Sequence, residues 1–122
     1  MHPRILIVDD EEPLANLLRQ SLLLEIPECH VVVAGSGEAA LSRLAVENYD
    51  LIIADLRMPG FDGLELIKGV RYLDPHVPIV LMTGFGSEEV RREAHALGVS
   101  RYVDKPFGMA EFLALVRELL PQ

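Results

Sequence analysis

The chain has 122 residues, half of them hydrophobic, and a formal net charge of −8 at pH 7. This size and composition predict one domain with a hydrophobic core, and the negative charge argues against nonspecific nucleic-acid binding. No apolar run approaches the roughly 20 residues of a membrane-spanning helix. The single cysteine, Cys29, allows no disulfide within the chain, and the first residues lack the apolar core of a signal peptide. Both features favour a cytoplasmic location.

The first half of the chain predicts three strands and two helices. The strands are apolar runs at residues 5–8, 31–34 and 51–54. Pro13 suits the first turn of a helix that ends near Leu24, since the amide that proline lacks has no partner there. Ser36 is the predicted N-cap of the second helix.

The second half predicts two strands and three helices. The strands lie at residues 79–82 and 101–104, and the helical patterns lie at about 64–73, 88–97 and 112–120. Ser87 can cap the fourth helix, which has a thin apolar face, and Gly98 marks its end. Strands that alternate with helices predict a parallel sheet covered on both faces, with right-handed crossovers. The pattern leaves the order of the strands open.

Polar side chains follow four of these strands. Asp9 and Asp10 follow the first strand, Asp55 the third, Thr83 the fourth and Lys105 the fifth. Because the carboxyl ends of parallel strands share one edge of the sheet, we expect these side chains to converge. Two carboxylates about 4 Å apart repel by roughly 4 kcal/mol at an effective dielectric near 20, so the site requires a proton or a cation. Oxygen ligands without His or Cys favour Mg²⁺ over zinc.

Such a site suits phosphoryl transfer to a carboxylate. An ammonium from Lys105, a hydroxyl from Thr83 and a Mg²⁺ ion can together neutralise and orient a phosphoryl group. Aspartate nucleophiles form acyl phosphates, and Asp55 is the single acid at the end of its strand. We therefore expect Asp55 to be the acceptor.

Four motifs in this order resemble the receiver domain of two-component response regulators. They are Val8-Asp9-Asp10-Glu11, Asp55-Leu56-Arg57-Met58-Pro59-Gly60-Phe61-Asp62-Gly63, Met82-Thr83-Gly84 and Tyr102-Val103-Asp104-Lys105-Pro106-Phe107. The resemblance covers essentially the whole chain, so residues 1–122 are expected to form one receiver domain. It implies a doubly wound α/β fold of the flavodoxin and CheY type, with five parallel strands in the order 2-1-3-4-5 and five helices.

The resemblance also implies the roles of the site residues. Asp55 would accept a phosphoryl group from a histidine kinase or a phosphotransfer protein. Asp9, Asp10 and Asp55 would hold Mg²⁺ together with the backbone carbonyl of Arg57. Thr83 and Lys105 would contact the phosphoryl oxygens.

Four further features follow from the same resemblance. Tyr102 stands at the position of the family's switch aromatic, although a partly buried structural tyrosine is the alternative interpretation. The Lys105–Pro106 peptide bond would be cis. Gly108 replaces a helix-capping Asp that is common in the family, which predicts a weaker start to the last helix. Arg57 and Phe85 flank the site where family members differ, and these positions tune the lifetime of the acyl phosphate.

The implied output face consists of the fourth helix, the fifth strand and the fifth helix. Its arginines are Arg91, Arg92, Arg101 and Arg117. The face would act on a fused or separate effector, with a transcriptional output, or form a phosphorylation-dependent homodimer. The segments 57–60 and 83–87 resemble receivers fused to σ54-dependent activator ATPases. Neither direct nucleic-acid contact nor membrane contact by this domain is expected.

Parts of the sequence also fit three other functions. The segment 35–40 fits the G-x-G-x-x-A fingerprint of dinucleotide-binding folds, but it follows the second strand in a chain that is short for such a domain. A Mg²⁺-dependent phosphohydrolase would carry a second acid two residues after its nucleophile, where this chain has Arg57. A pseudo-receiver, which never accepts phosphate, is disfavoured by the intact acids, Thr83 and Lys105.

Overall fold

The computed structural model describes residues 2–55, 63–84 and 88–121. Five parallel strands form one sheet in the order β2-β1-β3-β4-β5, which confirms the predicted fold class and strand order. The strands are β1 (Arg4–Val8), β2 (His30–Ala34), β3 (Leu51–Asp55), β4 (Ile79–Thr83) and β5 (Arg101–Asp104). They match the predicted runs to within one residue at each end.

Five helices alternate with the strands. They are α1 (Glu12–Glu25), α2 (Gly37–Val46), α3 (Gly63–Leu73), α4 (Glu88–Ala96) and α5 (Met109–Leu119). Pro13 lies in the first turn of α1, and the Ser36 hydroxyl accepts a hydrogen bond from the Ala39 amide at 3.1 Å, so it caps α2 as predicted. Helix α5 begins after Gly108 without a side-chain cap. Ser87, the predicted cap of α4, lies outside the described residues.

Two apolar clusters cover the two faces of the sheet. Successive strand residues point to opposite faces, so alternate residues of each central strand enter different clusters. Ile52 and Ala54 pack with residues of α2, α3 and α4, whereas Leu51 and Ile53 pack with residues of α1 and α5. Every residue of β3 and β4 is buried, which explains why their sequences show no polar alternation. Of the helices in the described ranges, none is both long and apolar enough to cross a membrane.

The register of the strands brings the predicted site residues to one edge. Val8 pairs with Ala54, so Asp9 and Asp55 follow adjacent positions on neighbouring strands. Asp55 in turn pairs with Met82, the residue before Thr83. The Lys105 amide donates a 2.7 Å hydrogen bond to the Thr83 carbonyl, which continues the β4–β5 pairing. All four residues therefore lie at the carboxyl edge of the sheet.

Gly98, which ends α4 as predicted, has a left-handed backbone with φ of +78°. A Cβ there would also lie 3.5 Å from the Arg71 Nε. We expect Gly98→Ala to lower the free energy of unfolding by about 1–2 kcal/mol, because L-residues are strained in this conformation. Urea denaturation followed by circular dichroism measures the change. Gly35→Ala is the control, since a Cβ at Gly35 would meet no described atom within 4 Å; an equal loss in both variants would contradict the explanation.

Candidate functional site

Three carboxylates from two segments form an acidic group at the carboxyl edge. One oxygen from each of Asp9, Glu11 and Asp55 lies within 4.8 Å of the others, an arrangement that could hold a metal ion. Asp9 and Asp55 are buried, with 1% and 4% of their surfaces exposed, whereas the Glu11 side chain is 62% exposed. The Glu11 amide donates a 2.8 Å hydrogen bond to Asp9 Oδ1. This hydrogen bond spans two residues and forms a tight turn. The Glu11 carboxylate then lies in the same acidic group as the Asp9 carboxylate.

Lys105 brings a positive charge to this acidic group. Its Nζ lies 2.9 Å from Asp55 Oδ2 and 3.5 Å from Glu11 Oε1. Burial lowers the pKa of Lys105, but the hydrogen bond to Asp55 and the charge of that carboxylate outweigh burial, so the pKa is raised overall. The side chain is therefore a cation at neutral pH. The following peptide bond, Lys105–Pro106, is cis, in agreement with the expectation.

Asp9 has an electrostatic environment that favours a bound cation. Its pKa is raised to about 6, chiefly because burial disfavours the charged form; the charge of Asp55 acts in the same direction, and the hydrogen bond from the Glu11 amide and the charge of Lys105 oppose it. Asp9 Oδ2 is buried and has no hydrogen-bond partner within the described ranges. A buried carboxylate oxygen without a partner is costly unless a proton or a cation compensates it. Hard oxygen ligands of this kind fit Mg²⁺.

Thr83 ends β4 next to the strand that carries Asp55, and Tyr102 lies on β5, where it pairs with Leu81 of β4. Thr83 is fully buried as the last residue of β4. Tyr102 is half-buried and packs against the apolar cluster that includes α4 residues. The Arg91 guanidinium lies 4.4 Å from the centre of the Tyr102 ring and pairs with Asp104 at 2.6 Å. The Tyr102 hydroxyl is buried and finds no hydrogen-bond partner among the residues that the structure describes.

The structure brings most of the predicted site residues together. Asp9, Asp55 and Lys105 converge, and Thr83 adjoins them at the end of β4. Asp10, a predicted metal ligand, is exposed and is not part of the acidic group found among the described residues. Glu11 belongs to the acidic group instead, although in the sequence it is only one of four consecutive acidic residues. The predicted ligand Arg57 and the flanking Phe85 lie outside the described residues.

An apolar groove of about 540 Å³ opens beside Lys105. Its described lining comes from α1, from the residue after β4 and from the segment that leads from β5 into the start of α5. These residues are Leu14, Leu17, Gly84, Lys105, Pro106, Phe107 and Met109. The side chain of Leu17 is 52% exposed, so α1 presents an apolar surface next to the site.

A doubly wound parallel sheet with two buried aspartates and a paired lysine at its carboxyl edge defines a class of phosphoryl-accepting signalling domains. The family model of the response regulator receiver domain matches residues 5–117. The chain belongs to this family, whose members act in two-component signalling.

The chain is similar to parts of longer proteins and to one protein of its own size. It is 40% identical over 116 residues to response regulator protein FleR of Pseudomonas aeruginosa and 36% identical over 117 residues to regulatory protein AtoC of Escherichia coli. These matches cover 95% and 96% of the chain but only 24% and 25% of the relatives, so the chain spans about a quarter of their length. It is also 31% identical to sporulation initiation phosphotransferase F of Bacillus subtilis, over 99% of the chain and 96% of that protein.

Solved structures share the same fold. A CheY-like receiver domain protein from Methanospirillum hungatei superposes with a TM-score of 0.92 at 27% identity, covering 97% of this chain and 93% of that one. Response regulator TrrA from Thermotoga maritima, solved in complex with Mg²⁺ and BeF, has a TM-score of 0.85 at 35% identity, with coverage of 97% and 99%.

Proposed function

We propose that residues 1–122 form a receiver domain in which Asp55 accepts a phosphoryl group in a Mg²⁺-dependent reaction. The observation that carries this proposal is the 2.9 Å contact between Lys105 and Asp55, next to the buried and unpartnered Asp9 Oδ2. Asp9 and Asp55 would hold the ion, with Asp10 or Glu11 and the Arg57 carbonyl as further ligands. The bound ion would neutralise phosphoryl oxygens and orient the group.

The reaction forms one bond and breaks one. A carboxylate oxygen of Asp55 forms an O–P bond while the P–N bond to the donor imidazole breaks, and the bonding electron pair leaves with the imidazole nitrogen. The Lys105 ammonium, already beside Asp55, is placed to contact the incoming phosphoryl oxygens. Thr83 supplies a hydroxyl donor from the adjacent strand end. Hydrolysis of the acyl phosphate returns Asp55 to its free state, so the domain catalyses only its own phosphorylation and dephosphorylation.

The partners follow from the family and from the surface around the site. The phosphoryl donor is a histidine kinase or a phosphotransfer protein. Helices of this donor would bind at the apolar groove beside Lys105. Phosphorylation adds charge at Asp55. Thr83 and Tyr102 respond to this charge, and the face formed by α4, β5 and α5 shifts from one conformational state to another. An effector that regulates transcription would bind this face. The alternative is a phosphorylation-dependent homodimer that forms through the same face. We expect the protein to act in the cytoplasm.

FleR and AtoC support a receiver that forms one part of a longer regulator, whereas sporulation initiation phosphotransferase F, matched along 96% of its length, supports a receiver that acts as a separate protein. FleR and AtoC are each about four times as long as the segment they share with this chain. This length is consistent with the predicted subfamily of receivers fused to σ54-dependent activators. Because this domain has a net charge of −8, we expect any DNA contact to be made by another domain or by a partner.

Intact-mass measurement after incubation with acetyl phosphate and Mg²⁺ tests the proposal. The wild-type protein should gain one phosphoryl group, and chelation of Mg²⁺ should abolish the gain. Asp55→Asn keeps the size of the side chain but removes the nucleophilic carboxylate, so it should gain none. An equal gain in Asp55→Asn would show that another residue is the acceptor. No gain in the wild type, with Mg²⁺ binding intact, would identify a pseudo-receiver.

A further inference from the structure

Arg71, in the last turn of α3, binds four backbone carbonyls from two other segments. Its Nε donates to Leu97 O at 2.8 Å, and its Nη2 donates to Gly98 O at 2.9 Å. Its Nη1 donates to Val77 O at 2.8 Å and to Asp74 O at 3.3 Å. The first two acceptors follow α4, and the other two lie between α3 and β4. One side chain therefore joins α3, the end of α4 and the connection that leads into β4.

Arginine is suited to this role. Its guanidinium presents five N–H donors in a planar fork, so it can bond carbonyls on several sides at once. Lysine offers three donors from a single nitrogen and cannot span the same positions. The site is half-buried, and burial lowers the pKa of Arg71 against the opposing charge of Asp74.

The C-terminal end of α4 is held to the rest of the protein by further hydrogen bonds. The Val99 amide donates to Ala94 O at 3.1 Å, which closes the end of the helix. The Ser100 amide donates to Ile79 O at 2.9 Å, which attaches the following segment to the start of β4. Ala94 is the only fully buried residue of α4, all nine residues of which the structure describes. It lies in the C-terminal half of the helix.

Among the described residues, the N-terminal half of α4 makes its contacts through exposed and half-buried side chains. Arg91 pairs with Asp104, but their side chains are 41% and 62% exposed, and exposed ion pairs contribute little. Val90 is half-buried and packs against the apolar cluster that includes Ala94, and the Arg91 guanidinium lies over the Tyr102 ring. Helix α4 follows β4, so its N-terminal end lies at the edge of the sheet that carries Thr83 and Asp55. The fully buried Ala94 and the Arg71 bonds thus lie at the end of α4 that is farther from the site.

We propose that Arg71 is a positioning residue that pins the C-terminal end of α4, so that the helix moves by pivoting near Gly98. Displacement is then largest in the first turns of α4, beside the phosphorylation site, and smallest at residues 97–100. The left-handed Gly98 gives the pivot its backbone conformation. The link between this pivot and signalling rests on the proposed function of Asp55, whereas the pinning itself does not.

Hydrogen exchange of the whole protein, read by mass spectrometry, tests the pinning without any ligand. In the wild type, amides 97–100 should exchange at least about tenfold more slowly than amides 89–92. Arg71→Met should raise exchange at 97–100 about tenfold or more while the amides of β1 and β3 keep their protection. Lys68→Met removes the same charge from an exposed position on the same helix and should leave the pattern unchanged. A uniform rise across all strands in Arg71→Met would show a merely structural role and overturn the proposal.

A second arm uses Mg²⁺ with beryllium fluoride, a mimic of the phosphoryl group. In the wild type, the change in protection should be confined to residues 88–92, and in Arg71→Met it should spread to 94–100. An equal change along the whole of α4 in the wild type would overturn the pivot. If Mg²⁺ and beryllium fluoride change the protection of no amide while the exchange pattern without ligand is as expected, the proposed function of Asp55 fails and the pinning by Arg71 stands. Should circular dichroism show that Arg71→Met is unfolded, Arg71→Lys replaces it, with the same expected direction of change.

Discussion

Replacing Lys105 with methionine should slow phosphoryl addition from acetyl phosphate by at least about a hundredfold while Mg²⁺ still binds. The Lys105 ammonium lies 2.9 Å from Asp55 Oδ2 in a largely buried site, where a single placed donor contributes about 10²–10³ to a rate. Methionine keeps the length and apolar character of the side chain and removes only the charge and its hydrogen bonds. A time course of intact mass gives the rate constants.

The same substitution should leave the affinity for Mg²⁺ unchanged or raise it several-fold. The ammonium competes with the ion for the charge of Asp55 and Glu11, and its removal leaves these carboxylates less neutralised. Titration calorimetry measures the affinity. Lys68→Met is the matched control, since it removes an exposed lysine from α3 and should change neither quantity. If the rate constant of phosphoryl addition to Lys105→Met were within a factor of two of the wild-type value, Lys105 would have no role in the reaction.

Asp9→Asn should stabilise the metal-free protein at neutral pH and abolish its stabilisation by Mg²⁺. Burial raises the pKa of Asp9 from 3.8 to about 6, so the folded protein holds this proton more tightly than the unfolded chain does. The stabilising contribution of the protonated group is complete below about pH 4 and is lost as the pH rises through 6. At roughly 1.4 kcal/mol for each tenfold difference in proton affinity, the loss reaches at most about 3 kcal/mol.

Urea denaturation of both proteins at several pH values gives the free energies of unfolding. Without Mg²⁺, Asp9→Asn should be about 1–3 kcal/mol more stable than the wild type near pH 7.5, with the difference vanishing near pH 4. With Mg²⁺, only the wild type should gain stability, because an amide is a poor substitute for a carboxylate ligand. Glu12→Gln alters an exposed acid of α1 and should keep the Mg²⁺ response. A pH-independent difference between wild type and Asp9→Asn would contradict this account.

The same measurement distinguishes the two candidates for the further ligand. The resemblance implies Asp10, whereas the structure places Glu11 in the acidic group and leaves Asp10 exposed. If Glu11 is the ligand, Glu11→Gln should reduce the Mg²⁺ response and Asp10→Asn should leave it intact.

The fold could be predicted from the sequence because its elements rest on local patterns. The uninterrupted apolar runs of β3 and β4 reflect burial on both faces, and Ser36 and Gly98 act as the cap and stop that their residue types predict. The order of the strands could not be predicted from such local patterns. Apolar runs carry no information about which strands are neighbours, so the order came from the resemblance.

The site was predicted less completely because its details depend on distant contacts. Strand ends placed Asp9, Asp55 and Lys105 at one edge, but the approach of Glu11 depends on a turn formed by its own amide with Asp9. In sequence, Glu11 is one member of an acidic run. The Arg71 contacts join residues 26 and 27 positions apart, and nothing in the helical pattern of α3 distinguishes this arginine from a solvated one.

The two open edges of the sheet differ in their chemistry. Strand β5 has only four residues and carries Arg101 and Asp104, both exposed, at its ends. Strand β2, His-Val-Val-Val-Ala, has no acidic or basic residue other than His30, and Val33 is 37% exposed. Charged side chains on an edge strand discourage pairing with a strand of another molecule, and β-branched residues favour it. Resistance to aggregation is therefore built into the β5 edge by its charges, whereas the β2 edge has no comparable charged side chains.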